Sequence, residues 1–111
     1  MNDYFSNYDA NAITVINGLY NQMRNFMPQY GGYAELKKTP QYTLHAYGRN
    51  GGLVYGYDFL PNIFGNLIAI RCYGSNMAKD LQGMRTSQRI FGIPISEIDT
   101  SDYPNSVIVK L

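Results

Sequence analysis

Cys72 is the only thiol and His45 the only imidazole in this chain of 111 residues. They form the one pair with a nucleophile–base relation near neutral pH, and Asp58 is the carboxylate that would orient it. The spacing argues against that use. Cys72 lies in the run Leu67-Ile68-Ala69-Ile70-Arg71-Cys72-Tyr73, where period-two alternation groups it with Ile68 and Ile70. His45 is grouped with Thr43 and Tyr47 in the run 41–47. If each strand turns its apolar side inward, Cys72 points into the core and His45 points away from it. Unpaired cysteine is also among the most buried residue types. The expectation is a structural thiol, with no catalytic residue assigned and no enzyme activity.

Metal chemistry has little to work with. One His and one Cys fall short of a tetrahedral zinc site. The acids Glu97, Asp99 and Asp102 lie in a turn-like segment and lack the pattern of a calcium loop. Gly48-Arg49-Asn50-Gly51-Gly52 has neither the spacing nor the strand–helix context of a phosphate loop, and reads as a tight hairpin turn. No metal, cofactor or small-molecule ligand is expected.

Tyrosine is the abundant chemical group. The chain holds eleven tyrosines and no tryptophan, with eleven glycines and eleven asparagines beside them. Tyr offers a large contact area at low side-chain entropy cost, with a hydroxyl that tolerates water. Tyr47, Arg49, Tyr55, Tyr57 and Tyr73 cluster around the predicted hairpin and the strand after it, and are the expected binding residues. Arg71, Arg85 and Arg89 extend the cluster. If the partner is nucleic acid, these arginines would meet phosphates while tyrosines stack on bases. The competing reading places the tyrosines in the seam between helix and sheet, with hydroxyls at the rim.

Charge gives only a weak preference. Charged residues are 15% of the chain and the net charge is +1, against about 25% charged residues in an average soluble domain. A surface so sparse in charge suits one covered by protein partners. Residues 24–89 carry a net +5, flanked by net −2 on either side, which would give a basic face only if folding kept these charges together.

The elements that must position these residues are legible from period and punctuation. Asp9 is the expected N-cap of an amphipathic helix with Ile13, Ile16, Tyr20, Met23 and Met27 on its apolar stripe, widened by Leu19 and Phe26. Pro28 ends it and Gly31-Gly32 turn the chain; Gly18 leaves room for close approach of another backbone. Runs 41–47 and 53–59 form a β-hairpin spanning about 41–59. Residues 67–73 follow as a largely buried strand. A second, shorter helix starts at a Ser75 N-cap, with Met77, Leu81 and Met84 on one face, and ends between Gly83 and Arg89. Residues 90–95, with Pro94, read as an edge strand or extended loop. Residues 100–105 form a turn cluster and 106–111 a closing strand. The predicted fold is a single α+β domain over 1–111, in the order α–β–β–β–α–β–β, with a mostly antiparallel sheet and both helices on one face.

A lone Cys permits no internal disulfide, and no signal peptide or membrane-spanning run is visible. The functional expectation is a non-enzymatic protein–protein interaction or assembly protein with a Tyr/Asn-rich surface. Such a chain would be a small viral or phage structural subunit, or an inhibitor of a host complex, located in the cytoplasm or within a viral particle. The alternative is a module that binds RNA or single-stranded DNA.

Overall fold

The computed structural model describes residues 8–38, 40–75 and 77–111. Asp9 accepts the Ala12 N–H at 2.8 Å and so N-caps helix α1, Ala10–Phe26. The predicted stripe forms its inner side: Ala12, Ile16, Leu19 and Met23 are buried, with Ile13 and Tyr20 packed at the margin. Phe26, assigned to that stripe by spacing, is 47% exposed. Pro28 tightens the next turn to 3₁₀ geometry over Met27–Tyr30, and Gly31 ends it at φ 77°, in the left-handed region that glycine tolerates. Gly18 is exposed, and a Cβ there would meet nothing within 4 Å, so no described residue uses that space.

Strand β1, Tyr33–Lys37, follows the Gly31-Gly32 turn. It was not expected from the sequence. The predicted hairpin forms from β2, Thr43–Tyr47, and β3, Leu53–Pro61, with a register shift between Ala46 and Tyr47. Strand β4, Leu67–Gly74, pairs back on β3. Helix α2 covers Met77–Ser87 and buries Met77, Leu81 and Met84, as predicted. The N–H and Oγ of Ser75 both donate to the Val54 carbonyl, tying the start of α2 to β3. Residues 90–95 do not join the main sheet. They contribute to a separate two-stranded pair, β5 (Arg89–Ile90) with β6 (Ile93–Pro94), closed through Phe91 and Gly92 at positive φ. Short strand β7, Glu97–Asp99, was also unexpected. The turn at 101–105 and strand β8, Val107–Lys110, complete the chain.

The main sheet has the order β1-β2-β3-β4-β8-β7, antiparallel throughout. Its cross-strand partners define two faces. Leu44 lies opposite Tyr57, Tyr57 opposite Cys72, Cys72 opposite Val107, and Ile70 between Phe59 and Val109. These residues are buried in one cluster with the inner sides of both helices. The fold is thus the predicted α+β domain, with both helices covering one sheet face. The other face carries no element among the described residues. No described helix is long and apolar enough to cross a membrane.

Candidate functional site

Alternation along paired strands separates the tyrosines expected to form one contact surface. Tyr47 (β2) and Tyr73 (β4) stand on the open face. Tyr55 and Tyr57 (β3) stand on the helix side, opposite Ala46 and Leu44. Tyr57 is buried, 8% exposed, and its ring meets Phe91 edge-on at 5.1 Å. Tyr55 packs partly beneath α1, its hydroxyl 3.8 Å from Met27 Sδ. The expected single face is therefore corrected to two faces. The reason lies in the hairpin register, which sets Leu44 and Ala46 of the core side opposite Tyr57 and Tyr55 and leaves His45 opposite Gly56, with a shift that puts Tyr47 opposite Leu53.

The arginines also disperse. Arg49, exposed at the hairpin tip, lies close to Gly31, where a Cβ would stand 3.0 Å from its Nε. Arg71 is on the open face. Arg85 lines a shallow cleft of about 570 Å³ with Leu81, Gln82, Thr100 and Tyr103. Arg89 donates to the Gly92 carbonyl at 3.0 Å.

The open face instead gathers a hydrogen-bonded chain. Tyr73 Oη donates to Asp58 Oδ1 at 2.7 Å. A phenol has one proton to give, so His45 Nε2, 2.7 Å from the same oxygen, must be the donor to Tyr73. That fixes the neutral ring as the Nε2–H tautomer. In that tautomer Nδ1, 2.9 Å from Tyr47 Oη, is an acceptor for the Tyr47 proton alongside the Glu35 carboxylate. Arg71 Nη1 closes the far end on Asp58 Oδ2 at 3.2 Å. Tyr33 stacks on Tyr47 with ring centroids 4.9 Å apart and 28° between planes. Tyr33 and His45, and Asp58 in this arrangement, were missed as members of a contact surface.

Gly56 is what lets this chain cross β3. It lies opposite both His45 and Tyr73. A Cβ there would stand 2.5 Å from Tyr73 Cε2 and 2.9 Å from His45 Cδ2, closer than real contacts allow. Burial, and then the bond to Asp58, push the Tyr73 hydroxyl well above the ordinary phenol range. Burial, and then Glu35, push Tyr47 up. Both hydroxyls therefore stay protonated as donors. The imidazole has both nitrogens engaged.

Cys72 takes no part. It is 2% exposed on the helix side, as predicted, and burial pushes its thiol up to about 12. Asp58 reaches His45 through Tyr73, with no contact to a nucleophile–base pair. The acids near the end of the chain have structural partners. Glu97 pairs with Lys110 at 3.5 Å, Asp99 accepts the Ser101 N–H at 3.0 Å, and Asp102 accepts from Ser106 Oγ at 2.9 Å. The Ser101 hydrogen bonds hold the Asp99 carboxyl below its usual range. Among the described residues no three His, Cys, Asp or Glu side chains gather as a metal site.

The site is thus an array of phenols, an imidazole and an ion pair on neighbouring strands of the sheet. It offers hydrogen-bond donors and acceptors and π-faces. No family model matches the chain, and no curated protein or solved structure matches it.

Proposed function

We propose that this chain is a non-enzymatic interaction or assembly protein whose working surface is the open sheet face around His45. One observation carries the reading: a face of the six-stranded sheet that no other described element covers holds Tyr47, His45, Tyr73, Asp58 and Arg71 in a continuous bonded chain, with Tyr33 stacked at its end. Side chains fixed this way lose little entropy on binding, and Tyr and Arg are enriched at the energetic centres of interfaces.

Charge favours a protein partner. Lys37, Arg71 and Lys110 share the face with Glu35, Asp58, Glu97 and Asp99, and Arg71 and Lys110 are already paired with acids. A nucleic-acid backbone would meet at least as much negative charge as positive. A particle subunit or an inhibitor of a host complex would each work through such a face.

The test is quantitative capture of partners from the native source with open-face variants (Tyr33→Ala combined with Tyr47→Ala, and Arg71→Glu) and a helix-side control, Arg85→Glu. The open-face variants should lose the same protein partner by about tenfold or more, at low and high salt alike, while the control keeps it. Loss confined to Arg85→Glu would refute the assignment. Capture of nucleic acid that washes off with salt would replace it with the RNA or single-stranded DNA reading.

A further inference from the structure

We infer that the outer edge of β1, which no described strand pairs with, pairs with β1 of a second copy of this chain, in antiparallel register centred on Leu36. The inference rests on the assembly reading and names one partner within it. β1 is the outermost strand on one side of the sheet. Its five residues pair with β2 without interruption from Tyr33 opposite Tyr47 to Lys37 opposite Thr43, with no bulge or proline to spoil the outer edge. Glu35 and Lys37 project exposed from the same face, and Leu36 is half-buried on the helix side.

A two-fold axis perpendicular to the sheet keeps both open faces on the same side, and it must centre on a single residue. Centred on Glu35 or on Lys37, it sets like charges directly opposite. Centred on Leu36, it sets Glu35 of each copy opposite Lys37 of the other and meets Leu36 with Leu36, next to the existing core. Lysine on an edge strand commonly guards against stray pairing. Here Glu35, two residues away on the same face, turns the guard into a register selector.

The opposite edge behaves differently. β7 has three residues, and its two charges, Glu97 and Asp99, share one face. Paired with itself about Ile98, it would set acid against acid. Paired with β1, it would gain one attraction and suffer one repulsion. Only β1 with β1 is complementary, so association closes at a dimer and does not propagate into a filament. The product is a continuous sheet of twelve strands, twice the six of one chain, with two His45 networks on one side.

Sedimentation velocity on the purified chain over a concentration series tests this, with Glu35→Lys, Lys37→Glu, the double exchange, and an equimolar mixture of the two single variants. Wild type should show a concentration-dependent dimer. Each single variant should dimerise about tenfold more weakly. The double exchange and the mixture should both recover the dimer, because each restores Lys opposite Glu. Recovery in the mixture also shows that the single variants are folded. A wild type that stays monomeric throughout overturns the inference. So do equal dimerisation of all variants and failure of the mixture to recover. None of these outcomes depends on an outside partner, so the open-face assignment is tested separately.

Discussion

Tyr73→Phe removes a single oxygen and interrupts the chain from Tyr47 to Arg71 at its middle. His45 Nε2–H loses its acceptor and Asp58 Oδ1 loses its donor. Stability should fall by about 1–2 kcal/mol in a denaturant titration, the cost of disconnecting partly shielded polar groups. Tyr33→Phe keeps the stacked ring on Tyr47 and should stay within about 0.5 kcal/mol. On the helix side, Cys72 should resist a thiol reagent in the native protein at pH 8 and react promptly in denaturant, because its thiol is both buried and pushed up to about 12. Fast native labelling would contradict that burial. Asp80, in the first turn of α2, borders a cleft of about 330 Å³ with Tyr57 and Cys72. Burial raises its carboxyl pKa and neighbouring Lys79 lowers it less. A raised folded-state pKa means the fold prefers the neutral acid. The associated stability is fully present below the unfolded value of 3.8 and is lost as pH rises through the folded value. Asp80→Asn should therefore melt higher than wild type at pH 7, and the gap should close as pH falls below that unfolded value. A gap that widens toward acid would show that the carboxylate is stabilised.

Elements with long, regular patterns were readable in advance. Asp9, the Ile16–Met23 stripe and Pro28 mark α1 because cap, period and stop agree. Gly48–Gly52 between two alternating runs marks the hairpin for the same reason. Ile16 is fully buried, so Ile16→Ala should cost about 2–4 kcal/mol, read from the shift in denaturant midpoint. A shift worth under about 0.5 kcal/mol would place the stripe outside the core. β1 was not readable. Its sequence, Tyr-Ala-Glu-Leu-Lys, is rich in helix formers and only five residues long, and it becomes a strand by pairing with β2. β7 has three residues, two of them acids, and depends in the same way on β8. Pro94 correctly argued against a central strand, but positive φ at Phe91 and Gly92 closes β5 and β6 on themselves.

For the whole molecule, the informative step is joining faces between strands. The sequence puts Leu44 and Ala46 on one side of β2, and Tyr57 and Phe59 on one side of β3. Both apolar sides must meet one core, so Tyr47 and Tyr57 had to part. That inference was available from alternation alone; the reach of Tyr73 to His45 across Gly56 was not, since it depends on register. The net +5 of residues 24–89 does not become a basic face either, because folding sets Lys37 and Arg71 among acids and leaves Arg85 and Arg89 away from the open face. With helices on one sheet face and no described element on the other, the proposed reading has the molecule engage its partner from that second side. Photo-crosslinking from single sites on the two sides measures this most directly, with a photoreactive residue in place of Tyr47 or of Arg85 in lysate of the native source. We predict a discrete protein adduct from position 47, retained at high salt, and none from position 85. A protein adduct from position 85 alone, or a nucleic-acid adduct from position 47, would contradict the open sheet face as a protein-binding surface.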